Sequence, residues 1–202
     1  QSIAPMASNV MSLINKPARN LEMETVCSDQ EASAWVRRFS PLIRAGGNVL
    51  DLACGRGRHA RLLAAMGYQV EAVDREPENV RELAADTAIQ VRCHDLEAGP
   101  WPYYGRAFDG IVVTNYLHRP LLPSLLAALA EGGVLIYETF MVGNERLGRP
   151  GNPAHLLRRG ELLDVVRQRL TVVAFEQGET ADPRPCVVQR LCACRRLEVF
   201  LP

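Results

Sequence analysis

Residues 48–64 read NVLDLACGRGRHARLLA. An apolar run ends in an acid, two glycines follow one residue apart, and a helical pattern begins at Arg58. This is a strand-to-helix junction with a tight turn, because Gly55 and Gly57 admit dihedrals and close backbone approaches that other residues resist. In an open parallel sheet such a turn lies beyond the carboxyl ends of the strands, where ligands bind. Asp51 brings a carboxylate near the same crevice, the wrong charge for a phosphate loop. A ligand carrying an ammonium or sulfonium group suits it.

The surrounding chain supports that placement. Helical spacing marks 31–43, 58–67, 76–86, 119–133 and 161–170. Short apolar runs predict strands over 46–53, 68–74, 88–95, 108–115 and 134–140. Alternating strands and helices give an α/β, doubly wound sheet with right-handed crossovers. Two further strands, 171–179 and 185–197, are joined by a link too short for a parallel crossover, so the sheet is expected to finish antiparallel. Between them and the fifth strand, 141–160 is polar and rich in Gly and Pro, a length usual for a lid or binding element.

Two more acids fall at strand ends. Asp74 closes the second strand, where a carboxylate can accept from both hydroxyls of a ribose. Asp95 closes the third, where it can take the exocyclic amine of an adenine, with Leu96 and Ala53 as apolar walls. A nicotinamide dinucleotide fold also uses glycines and a second-strand acid. Its third glycine is Ala60 here, and its pyrophosphate would face Asp51.

With these residues in place, DLACGRG resembles motif I of the class I S-adenosylmethionine-dependent methyltransferases, with Ala53 where the family usually has glycine. Asp74 and Asp95 match that family's second- and third-strand acids. The resemblance covers roughly 45–197. Through DLACGRGRHA and NYLHRPLL it is nearest the bacterial branch that holds tellurite-resistance methyltransferases. It implies a Rossmann-like seven-stranded sheet, mostly parallel with an antiparallel last strand, and S-adenosyl-L-methionine as cofactor. The cofactor residues it implies are Asp51, Leu52, Ala53, Gly55, Gly57 and Arg58 at the first junction, Asp74 and Arg75, Asp95 and Leu96, and Thr114 and Asn115.

The acceptor is expected to be a small molecule, a tellurite-like chalcogen or a carboxylate. Tyr116 and His118 are the candidate catalytic groups. Tyr116, His118, Arg119, Glu138, Arg146, Arg149 and Asn152 are the candidate substrate residues, with Arg146 and Arg149 suited to an anion. Alternatives are an RNA or protein methyltransferase, or a binder of the cofactor without transferase activity. VTNYLHRP lacks the Asp/Asn-Pro-Pro-Tyr of base amino methyltransferases, and Pro185-Cys186 stands before the last strand, the wrong place for a cytosine-methylating nucleophile.

Composition bounds the rest. Of 202 residues, 48% are hydrophobic and 23% charged, as in an ordinary globular domain. Formal charge is zero, so a nucleic-acid surface is not expected. No apolar run reaches the roughly 18 residues of a membrane span. Six cysteines without a Cys-x-x-Cys pair read as free thiols in a cytoplasmic protein with no metal site. Cys192 and Cys194 are expected on one strand face. QSIAPMASNVMSLINKPARNLE makes a poor signal peptide, with Met6, Met11 and Met23 as possible starts. Residues 1–24 are expected to stand outside a single domain of 25–202, disordered or not native to the chain. Oligomeric state is not legible.

Overall fold

The computed structural model describes residues 31–181 and 184–196. The expectation for residues 1–24, Cys27 and the end of the last predicted strand at Leu197 lie outside the described residues. Seven strands form one sheet: β1 Asn48–Leu52, β2 Gln69–Asp74, β3 Ile89–Cys93, β4 Phe108–Thr114, β5 Leu129–Phe140, β6 Thr171–Thr180 and β7 Cys186–Cys194. Among the described residues the α-helices are α1 Ala34–Phe39, α2 Arg58–Ala65, α3 Pro77–Leu83, α4 Leu122–Ala127 and α5 Glu161–Val166. The strand order is β3-β2-β1-β4-β5-β7-β6. β1 to β5 pair in parallel, and β7 runs antiparallel to both β5 and β6. The order reverses between β1 and β4, which puts a crevice beyond the ends of those strands.

Each sheet face buries its own core, because successive side chains leave a strand on opposite sides. Leu50, Leu52, Ile111, Val113, Leu135 and Tyr137 pack with Leu122, Leu125 and Leu126 of α4 and Leu162 and Val166 of α5. Val49, Ala72, Val112, Val134 and Ile136 pack with Trp35 and Phe39 of α1, Leu63 of α2 and Leu83 of α3. Cys192 and Cys194 share this second face, as their spacing predicts. Among the described residues no helix is long and apolar enough to cross a membrane.

The helix expected over 119–133 is shorter. A 3-10 turn, Arg119–Leu121, leads into α4, which stops at Ala127. Phe108 N–H takes the Ala128 carbonyl at 2.8 Å, and the β4–β5 register then shifts between Phe108 and Gly110. Gly132 and Gly133 serve this bulge instead of ending a helix. Gly132 has φ +73°, and a Cβ on Gly133 would stand 2.9 Å from the Ala130 carbonyl oxygen. The helix expected over 161–170 likewise ends at Val166.

The segment after β5 is not structureless. It holds 3-10 turns at Asn144–Arg146 and Pro153–His155. Its base is closed by Leu157 N–H to the Phe140 carbonyl at 3.0 Å and Val142 N–H to the Leu157 carbonyl at 2.9 Å.

Candidate active site

The turn after β1 alternates left-handed residues: Ala53 at φ 53°, Gly55 at 53° and Gly57 at 77°. The two glycines serve different ends. A Cβ on Gly57 would meet Leu83 Cδ1 at 2.5 Å, so this position lets α2 close on α3. A Cβ on Gly55 would meet nothing within 4 Å. The Gly55 N–H donates to Asp74 Oδ2 at 2.7 Å, and Asp74 Oδ1 accepts from Glu76 N–H at 2.9 Å. These bonds hold the carboxylate at the end of β2 with acceptor capacity left on Oδ2. Asp74 is buried at 8% exposure, yet forms part of a cavity wall.

That cavity, about 560 Å³, opens where β1 to β5 end. Its size is that of a small-molecule site. Ala53 and Leu96 supply apolar wall, while Asp74, Glu76, Asp95 and Glu97 bring four carboxylates. Among the described residues one guanidinium lines it, that of Arg75, 3.3 Å from Glu76. Asp95 is exposed, with Oδ1 accepting from Glu97 N–H at 2.9 Å. Asn115 and Tyr116 come from the end of β4, Thr139 and Phe140 from β5, and Pro150 and His155 from the following loop.

Tyr116 Oη is buried without a partner in hydrogen-bond geometry. Burial, then the negative charge of Glu97, push its phenol up. His118 is not on the wall; its Nδ1 faces Glu97 Oε2 at 3.8 Å.

Several residues singled out in the sequence stand away from the cavity. Strand alternation explains them. Asp51 shares the face of Val49, so it points under α2, and Leu52 on the other face is core. Asp51 is 1% exposed, and neither of its oxygens has a partner in good hydrogen-bond geometry, the Ala60 amide being the backbone donor that acts on it. Burial pushes its carboxyl up to about 7, and the Ala60 amide and the Arg58 charge at the start of α2 offset this only in part.

Thr114 and Glu138 share the face of α1 and α2 and join a buried relay. His59 Nε2 accepts from Ser33 N–H at 3.1 Å, and Nδ1 lies 3.2 Å from Thr114 Oγ1. Burial, then Arg58, lower the His59 imidazole to about 3. The ring is therefore neutral, and with Nε2 accepting, the hydrogen sits on Nδ1 and is donated to Thr114. Ser33 Oγ donates to Glu138 Oε2 at 3.1 Å, and Arg190 Nε pairs with the same oxygen at 2.7 Å.

The three arginines expected at the acceptor, Arg146 and Arg149 as anion holders among them, are elsewhere as well. Arg119 Nε and Nη2 donate to Glu161 at 2.7 and 3.0 Å, and its Nη1 and Nη2 donate to the carbonyls of Ala154 and Leu156. Arg146 approaches Glu179 at 3.9 Å, and Arg149 is exposed off the wall. Asn152 accepts from Ala154 N–H at 3.0 Å, capping the Pro153–His155 turn.

Glu76, Asn79, His94, Glu97 and His155 are polar wall residues that the motifs of the chain do not single out, and the His94 Nε2 is buried without a hydrogen-bond partner. The Asn152-Pro153 step, a cap followed by a turn-starting proline, is the local signal that would have placed His155.

A family model described as a methyltransferase domain matches residues 22–179. Protein-L-isoaspartate O-methyltransferase of Chlorobaculum tepidum is 31% identical over 123 residues, 57% of this chain and 52% of that protein. The chain thus spans about half the length of the curated relatives it matches. Among solved structures, TehB from Haemophilus influenzae superposes with a TM-score of 0.68 at 19% identity, covering 82% of this chain and 63% of that one. A TehB-like SAM-dependent methyltransferase from Corynebacterium glutamicum gives 0.62 at 18%, covering 89% and 96%. At these identities the likeness is one of fold.

Proposed function

The chain belongs to the methyltransferase-domain family, class I and S-adenosylmethionine-dependent, and from that premise we propose that it methylates a small molecule in the cavity at Asp74 and Tyr116. The observation that carries this reading is the Asp74 carboxylate, fixed by two backbone amides yet facing the cavity with acceptor capacity to spare. Asp74 accepts the ribose hydroxyls, Asp95 the adenine amine, and Leu96 and Ala53 flank the base. The four carboxylates favour a positive charge over a diphosphate. S-adenosylmethionine supplies there a methyl group on a cationic sulfonium, and the chain's own task is alignment and exclusion of water.

The acceptor reading follows from charge. Arg119 is engaged by Glu161, Arg146 and Arg149 are off the wall, and Arg75 on the wall pairs with Glu76, so among the described residues no unpaired guanidinium awaits an oxyanion there. This favours an uncharged or cationic nucleophile over tellurite or a carboxylate. The unpaired thiols of Cys54, Cys93, Cys186, Cys192 and Cys194 support a cytoplasmic setting.

The test is transfer of radiolabel from S-adenosylmethionine to a panel of amines, alcohols, thiols, tellurite, an isoaspartyl peptide and transfer RNA. Label on an amine, alcohol or thiol is expected. Label on the peptide or RNA alone means a macromolecular acceptor. No label, with S-adenosylhomocysteine still bound in calorimetry, means a binder without transferase activity.

A further inference from the structure

The loop after β5 brings one polar side chain to the β5 side of the cavity, across β1 and β4 from Asp74 and Asp95. That residue is His155. It is exposed to the cavity, and its ring makes no hydrogen bond or ion pair among the described residues. Its backbone is tightly held. Arg119 donates from Nη1 to the Ala154 carbonyl and from Nη2 to the Leu156 carbonyl, each at 2.8 Å, so one guanidinium grips the chain on both sides of His155.

Arg119 is itself fixed by two bonds to Glu161, a residue only 5% exposed. Burial pushes the Glu161 carboxyl up, but the Arg119 bond, the Arg158 amide and the two guanidinium charges outweigh it and hold it below the usual range. Glu161 Oε2 also accepts from Arg158 N–H at 2.7 Å. On the other side of His155, Leu156 and Leu157 are buried. A charged pair reaching across the fold thus fixes a free imidazole against the half of the cavity away from the strand-end acids.

We infer that His155 is the acceptor-side contact of the transferred group, its ring nitrogen accepting a hydrogen bond from an acceptor that carries an N–H or O–H, with Arg119 and Glu161 as positioning residues. This rests on the cofactor reading above. It also narrows the acceptor class. An amine, amide or hydroxyl compound offers the hydrogen, whereas a fully ionised oxyanion offers none and meets four carboxylates.

Sinefungin tests this, since a carbon-borne ammonium replaces its sulfonium and methyl and so presents N–H groups where the methyl would leave. Calorimetry compares it with S-adenosylhomocysteine. His155→Phe is expected to weaken sinefungin about tenfold or more, the scale of a hydrogen bond to a charged group. S-adenosylhomocysteine should stay within about twofold, and His155→Gln, which keeps an acceptor, should recover most of the loss.

Arg119→Lys is expected to weaken sinefungin alone in the same way, and the double variant to lose nothing further. Should Arg119→Lys unfold, Asn152→Ala loosens the same turn from its exposed cap and replaces it. If neither compound binds the wild type, the cofactor reading falls and this inference with it. If both bind and His155→Phe leaves their ratio unchanged, only the assignment of His155 is overturned. If the losses of Arg119→Lys and His155→Phe add, the positioning role is overturned.

Discussion

The Gly55 amide donates to the Asp74 carboxylate at 2.7 Å across 19 residues of chain, tying the turn after β1 to the end of β2. The bond joins stability to ligand capture, because one side chain serves both. Asp74→Ala is expected to lower unfolding stability and to weaken S-adenosylhomocysteine by about 1.5–3 kcal/mol. Asp95→Ala, on an exposed residue, should weaken the ligand while leaving stability within about 0.5 kcal/mol. Calorimetry beside urea unfolding separates the two; an unchanged affinity for both would remove the ribose and adenine assignments.

The two glycines of the same turn should answer differently to alanine. Gly57→Ala adds left-handed strain and a 2.5 Å approach to Leu83, for a loss of about 2–4 kcal/mol. Gly55→Ala adds strain into open space and should cost only about 1 kcal/mol. Equal losses in urea unfolding would mean that α3 yields to the new methyl.

Ala53 holds φ 53° with a Cβ, a conformation costing about 1–2 kcal/mol. Ala53→Gly relieves it and adds back about 0.4–1 kcal/mol of unfolded-chain entropy. A net gain of about 0.5–1 kcal/mol is expected, read as a raised Tm. A lowered Tm would show that the methyl's packing outweighs the strain.

Asp51 and His59 set opposite pH dependences. The Asp51 carboxyl is raised in the fold to about 7 from 3.8, so its contribution is complete below 3.8 and is lost as pH rises through about 7. The His59 imidazole is lowered to about 3 from 6.5, so its contribution is complete above 6.5 and is lost as pH falls through about 3. Asp51→Asn removes the first effect. Relative to wild type it should gain about 2–3 kcal/mol between pH 5 and 8.5. An offset that is the same at both pH values would mean that Asp51 is not neutral in the fold at pH 5.

Strand-end acids were readable because an apolar run followed by a turn fixes where a strand stops. Asp74, Asp95 and Ala53 reached the cavity wall on that logic. The face a residue takes was not readable for Asp51, Thr114 and Glu138. Strands buried on both sides show no polar alternation to set the phase. The place of Arg119 is not legible for another reason: its partner Glu161 stands 42 residues away, and nothing local announces the pair. The double glycine after α4 suggested a helix end, and only the register shift opposite Phe108 shows it to be a bulge.

Among the described residues β7 is the last strand in chain order, yet it lies between β5 and β6, and β6 has no other neighbour in the sheet. During synthesis, then, six strands emerge before the one that fills the gap, and β5 and β6 must each wait with an unpaired edge. The nascent chain is most open to wrong strand pairing in that interval, and release of Cys186–Cys194 from the ribosome is the event that seals the sheet.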